Sequence, residues 1–174
     1  MTGGPPEGSA RGPSRLQEEL RQSRPFRSRA QEAFLALLRT ADLAKNRFSD
    51  LFASEDVTFQ QYNVLRILRG AGPAGLPTLE IGSRMIERTP GITRILDRLE
   101  AKGWVRRERS SADRRQVWCR ISTLGLALLE RLDAPVDAND QAIFDAMAEA
   151  DVQALLRILD QLRDRLADLS RESD

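Results

Sequence analysis

The chain has 174 residues, 41% of them hydrophobic and 30% charged, and a formal net charge of +1; that balance suits one well-packed domain in water. A single cysteine, Cys119, and no histidine exclude an intrachain disulfide framework, a multi-cysteine metal centre and the usual general base of a hydrolase. No apolar run approaches the ~20 residues of a membrane span, and the N-terminus lacks the apolar region of a secretory signal. The expectation is a cytoplasmic protein without metal or cofactor. No nucleophile–base pair or paired-carboxylate spacing argues for an enzyme.

Residues 1–27 are rich in Gly, Pro, Ser and Arg and read as a flexible tail. Within them Ser14 and Gln17 match a capping box, which predicts a short helix that needs a partner to persist. From Arg29 the apolar positions Ala30, Phe34, Leu37, Ala41, Ala44, Phe48 and Leu51 alternate spacings of 4 and 3. This is a heptad seam. Val152, Leu155, Leu159, Leu162, Leu166 and Leu169 repeat it near the other end. The two seams can pack within one chain or interleave with those of a second copy. A homodimer is expected, with Phe34, Leu37, Leu155, Leu159, Leu162 and Leu166 as its contacts.

Between the seams, Thr58 and Gln61 form a second capping box, opening a helix that Gly70 is expected to end. "GAGPAG" is a loop by composition, and a short helix follows over about Thr78–Arg84. Thr89 is placed to cap the next helix, with Pro90 at its first position, Lys102 near its end and Gly103 as the stop. On that helix Ile92, Ile95, Leu96 and Leu99 fall within about 100° of one another and form the core stripe. Thr93, Arg94, Asp97 and Arg98 take the opposite side, a pattern shared by any amphipathic helix with a solvated back. Asp97 is positioned to clamp Arg94 or Arg98.

Two strands, Val105–Arg109 and Gln116–Ile121, flank a charged tip, Ser110–Arg115. Val117, Cys119 and Ile121 share the inner face, so Cys119 is expected to be a buried, inert thiol. Ser122 caps the following helix, and Pro135 is expected to kink or interrupt it. No cap is evident before the last helix, where Ala148 stands. Trp104, Trp118, Tyr62 and Phe48 can line a pocket, although core packing is the commoner role for such aromatics.

Helix, short helix, turn, helix and hairpin follow one another in the order of a winged helix-turn-helix. The expected fold is therefore mainly α (α+β), with a two- to three-stranded wing and dimerisation helices at both ends. The expected divisions are a tail (1–27), an N-terminal dimerisation helix (28–56), a winged-helix lobe (57–122) and C-terminal dimerisation helices (123–174). From Arg84 to Arg115 ten basic residues stand against five acidic ones, the footprint of a polyanion binder. A helical protein-interaction scaffold that kept this shape without binding DNA is the alternative.

"TFQQYNVLRILRG", "LPTLEIGSRM" and "RTPGITRILDRLEAKGWVRRERSSADRRQVWCRIS" resemble successive parts of MarR-type transcriptional regulators, and the resemblance extends from about Phe26 to Leu132. It implies a bacterial repressor, associated with the nucleoid when on DNA, that binds a near-palindromic double-stranded operator as a homodimer. Thr89, Pro90, Gly91, Thr93, Arg94 and Arg98 would lie on the recognition helix at the DNA. In the wing, Asp113, Arg114 and Arg115 would meet DNA, with Arg115 in the minor groove and Asp113 its partner. It also implies release by a small aromatic effector, although no residue of this chain singles one out.

Overall fold

The computed structural model describes residues 12–87, 91–109 and 116–172. The chain divides into two compact units between Arg47 and Phe48. Among the described residues no helix is long and apolar enough to cross a membrane, and no group of acidic, cysteine or histidine side chains could hold a metal.

The first unit holds helix α1 (Arg15–Glu19) and most of α2 (Arg29–Ala53). Ser14 caps α1 by accepting from the Gln17 amide at 3.3 Å. The Gln17 side chain does not return the bond; it donates to the Gln22 carbonyl instead. The partner that so short a helix needs is α2, because Arg39 Nε donates to Glu19 Oε1 at 2.7 Å. The short helix expected within the tail is thus present, over Arg15–Glu19. α2 has a cap the periodicity did not reveal: Ser28 Oγ accepts from the Gln31 amide, and the Gln31 side chain reaches back to the Arg27 amide at 2.8 Å.

The second unit begins with the last turns of α2, where the seam changes role. Phe52 is fully buried, and Phe48 and Leu51 pack against the core. Phe52 lies 4.6 Å from the Tyr62 ring and Phe48 5.6 Å from Phe59, distances at which aromatic pairs add to simple burial. In the first unit the same seam stays open, with Phe34 58% exposed and Leu37 38% exposed.

Helix α3 (Phe59–Ala71) starts at the expected capping box, with Thr58 and Gln61 exchanging both bonds at 3.2 and 3.0 Å. It ends at Gly72 and not at Gly70, since a glycine in mid-turn is tolerated when the next turn is still packed. A single 3-10 turn (Gly72–Ala74) leads into β1 (Leu76–Pro77), then α4 (Thr78–Arg84), α5 (Ile92–Ala101), β2 (Val105–Arg109), β3 (Val117–Ile121), α6 (Thr123–Phe144) and α7 (Glu149–Arg171). The sheet is antiparallel in the order β1-β3-β2, with Leu76 opposite Cys119 and Arg107 opposite Cys119 on its other side. Gly75 permits this closure. Its φ is +71°, and a Cβ there would stand 2.3 Å from the Cys119 carbonyl oxygen, closer than any side chain tolerates.

The core is a single cluster. Val64, Leu65 and Leu68 of α3, Ile81 of α4, Leu96 and Leu99 of α5, and Leu128 and Leu129 of α6 are all fully buried, with Val105 and Cys119 from the strands. Tyr62 and Trp104 belong to this packing, whereas Trp118 is half-buried on the sheet and bonds Gln116. Ser122 caps α6 as expected, accepting from the Gly125 amide at 3.1 Å and donating to the Gly103 carbonyl.

Pro135 does not interrupt α6, which runs unbroken through it. Leu132 and Val136, buried to 3% and 5%, hold the helix against the core on either side, and this packing outweighs the missing amide. Helix α7 follows Ala148 with no side-chain cap, as read. Glu149 and Asp151 in its first turn complement the helix dipole in place of one. Nothing on α7 is buried; Leu155 and Leu159 are half-buried, while Leu162 is 44% and Leu166 58% exposed.

Candidate nucleic-acid interface

The interface is built on α5. Leu96 and Leu99 are sealed in the core and Ile92 and Ile95 pack against it, so the stripe read from the sequence is the buried one. The opposite side presents Gly91, Thr93, Arg94, Asp97 and Arg98, all exposed. Thr89 and Pro90, expected to open the helix, lie outside the described residues. So do the wing positions Asp113, Arg114 and Arg115. What is described of the helix start differs from the expectation: α5 begins at Ile92 and its N-cap is Gly91, at φ +108° with no side-chain cap bond. Only glycine adopts that backbone freely, and its carbonyl accepts the Arg94 and Ile95 amides.

Asp97 does not clamp Arg94 or Arg98. Its partner is Arg107 on β2, whose Nη2 lies 2.7 Å from Asp97 Oδ1. The same nitrogen lies 2.6 Å from Glu100 Oε2, and Arg107 Nε donates to that oxygen at 2.9 Å. The Arg107 main-chain N–H donates to Glu100 Oε1 at 3.2 Å. Glu100 first, then Asp97, raise the Arg107 pKa against the opposing effect of burial. Ion pairing across an element boundary has no local signature, which is why the sequence did not reveal it.

The rest of the basic segment sorts into paired and unpaired groups. Arg84 pairs with Glu80. Lys102 pairs with Asp56 at 2.7 Å, and its ammonium lies 4.7 Å from the Trp104 ring centroid. Glu108 is taken by Arg120 at 2.6 Å, while Arg120 Nε also donates to the Pro73 carbonyl. Arg94, Arg98, Arg106 and Arg109 make no ion pair or hydrogen bond with another side chain among the described residues, and all four are exposed. Asp97, Glu100 and Glu108 are thus occupied while guanidinium charge on α5 and β2 is available.

Cys119 is fully buried, with Sγ 3.7 Å from Thr78 Oγ1. Burial pushes its thiol pKa up, and Thr78 offsets only part of this. A protonated, covered thiol is a poor nucleophile.

A lobe of three short helices and a three-stranded wing, with an arginine-bearing helix free on one side, defines a winged helix-turn-helix DNA-binding protein. The MarR family model matches residues 57–117. The chain is similar to a MarR transcription factor from Planctomyces limnophilus of known crystal structure, at 37% identity over 78% of this chain and 98% of that one, with a TM-score of 0.62. It is also similar to the HTH-type transcriptional regulator FarR of Neisseria gonorrhoeae, 27% identical over 86% of this chain and 97% of that protein. The S. aureus MepR–DNA complex shares the fold, with a TM-score of 0.69 at 21% identity over 76% of this chain and 96% of that one. The chain belongs to the MarR family, and its function is DNA-binding transcriptional regulation.

Proposed function

We propose that the protein is a repressor that binds a near-palindromic operator as a homodimer, and that Thr89, Pro90, Gly91, Thr93 and Arg94 enter the major groove while Arg98 meets phosphate. One observation carries this reading: the outward side of α5 holds two arginines with no partner among the described residues, whereas its carboxylates are already paired. An arginine at such a position reads a guanine edge through two bonds. The wing tip adds Arg115 in the neighbouring minor groove, with Asp113 as its holder and Arg114 on phosphate. Pairing occurs through the open seams, Phe34 and Leu37 with Leu155, Leu159, Leu162 and Leu166. The four stretches 1–27, 28–56, 57–122 and 123–174 keep the roles of tail, first dimerisation helix, DNA lobe and second dimerisation region. Such a protein works in the cytoplasm, at the nucleoid when on DNA.

The effector in this reading is a small aromatic acid. A cleft of about 640 Å³ beside α5 suits one, since Ala53, Val57 and Ala101 offer apolar walls and Arg98 offers a cation, the charge of Lys102 being already paired with Asp56. A ligand drawn to Arg98 competes with phosphate for the same guanidinium.

Selection of bound duplexes from a random pool tests the reading. The expected product is a two-fold-related pair of half-sites about 10 bp apart. Binding to it should weaken by roughly a thousandfold between ~50 and ~200 mM salt if about six phosphates are neutralised. Arg94→Ala and Arg115→Ala should each weaken it by about 1–3 kcal/mol with the dimer intact. A product without symmetry, or an affinity indifferent to salt, overturns the reading.

A further inference from the structure

Helix α5 is a poor partner for a polyanion by its own charge. Arg94 and Arg98 are matched one for one by Asp97 and Glu100, so the helix alone is neutral. Asp97 lies on the exposed side, its side chain 54% accessible, in the same strip as Thr93, Arg94 and Arg98. A bare carboxylate there faces the phosphates that the arginines are to meet, and like charges at such range repel.

The correction comes from another element. Arg107 stands in the middle of β2, opposite the buried Cys119, and its guanidinium spans both carboxylates of α5, at 2.7 Å to Asp97 and 2.6 Å to Glu100. Its side chain is 22% exposed, against 54% and 39% for the two acids it holds. A group so enclosed offers its charge inward. The bond from the Arg107 main chain to Glu100 ties β2 to α5 whichever side chain occupies position 107. The side chain therefore adds charge to a frame already fastened.

We propose that Arg107 is a positioning residue for operator binding, the built-in counter-ion of the recognition helix: it holds Asp97 and Glu100 away from the DNA so that Arg94 and Arg98 reach it without acidic neighbours. The proposal rests on α5 being the DNA-reading helix. It makes Asp97 and Glu100 silent in the parent protein and inhibitory once uncovered.

The probe is the duplex that the parent protein selects from a random pool. Arg107→Gln should weaken binding about tenfold or more at low salt. Arg107→Lys, which keeps the charge and gives up the fork, should remain within about threefold of the parent. Asp97→Asn with Glu100→Gln should bind as well as the parent or better. Adding Arg107→Gln to that pair should change affinity by less than about twofold, since nothing is left to uncover. Equal losses from Arg107→Gln in the two backgrounds overturn the proposal, because Arg107 then either touches DNA or serves the fold alone. Binding by Arg107→Lys as weak as by Arg107→Gln overturns it too. If Arg107→Gln fails to fold, the lysine variant and the triple variant still decide. A parent that selects no duplex overturns the DNA-reading assignment of α5, and this proposal with it, before any variant is compared.

Discussion

Leucine meets two fates in this chain. In the lobe and the part of α6 that closes its core, Leu65, Leu68, Leu96, Leu99, Leu128 and Leu129 have no accessible surface at all. On α7, 23 residues long, no side chain is buried, and Leu156, Leu162 and Leu166 are 57%, 44% and 58% exposed. The two regions have similar helical periodicity, so the difference does not lie in local preference. The lobe closes its apolar faces with short loops that fold three helices and a sheet over one centre, which α6 completes. α7 turns a leucine row outward, and an isolated helix so dependent on packing is marginal in water. The lobe buries its own leucines, and on the proposed pairing α7 would take its stability from a second copy.

Substitution in the two regions separates these accounts. Leu128→Ala in the core should lower the unfolding free energy by about 2–5 kcal/mol, the transfer loss plus the cavity left behind. Chemical denaturation of the isolated variant reads this directly. A loss under about 1 kcal/mol would mean that the lobe is loosely packed and the contrast with α7 is false. Leu162→Ala should weaken self-association by about 1.5–3 kcal/mol per side chain, measured by sedimentation equilibrium. Unfolding of the lobe, followed at concentrations where both proteins are dissociated, should shift by no more than about 0.5 kcal/mol. The reverse pattern, an unchanged association with a destabilised lobe, would show that α7 packs on its own chain.

The comparison also explains what the sequence could be made to say. Local devices were legible. The Thr58–Gln61 box, the Ser122 cap, the inward face of β3 with Cys119, and the core stripe of α5 each depend on residues within a few positions of one another. Features set by distant neighbours were not. By local spacing Asp97 falls to an arginine on its own helix, whereas Arg107 arrives from a strand that follows Gly103. β1 has two residues, too few for alternation to register, and exists because Gly75 lets Leu76 and Pro77 lie beside β3. Pro135 carries a strong local signal for a break, which the burial of Leu132 and Val136 overrides. For the interface, the residue types and the helix were readable, but which charges are already spent inside the protein was not.

The smallest effect probes an ion pair away from the leucine rows. Arg131 of α6 grips Glu55 with two bonds, Nε to Oε1 at 3.1 Å and Nη2 to Oε2 at 2.8 Å. The hydrogen bonds from Arg131 hold the Glu55 pKa below its ordinary value, against the opposing effect of desolvation. A carboxylate with a lowered folded-state pKa contributes stability that is fully present above its ordinary value and is lost as pH falls through the lowered one. Arg131→Met should therefore reduce the unfolding midpoint slightly at neutral pH, and the gap from the parent should close in the acid range. Added salt should narrow the gap at neutral pH, as for any exposed pair. The Leu128→Ala deficit should persist across the same pH and salt range, because no charge enters it. If the gap between the Arg131→Met variant and the parent instead widens in acid, Glu55 is protonated less readily in the unfolded chain than in the folded one, and the pair is not what steadies this corner.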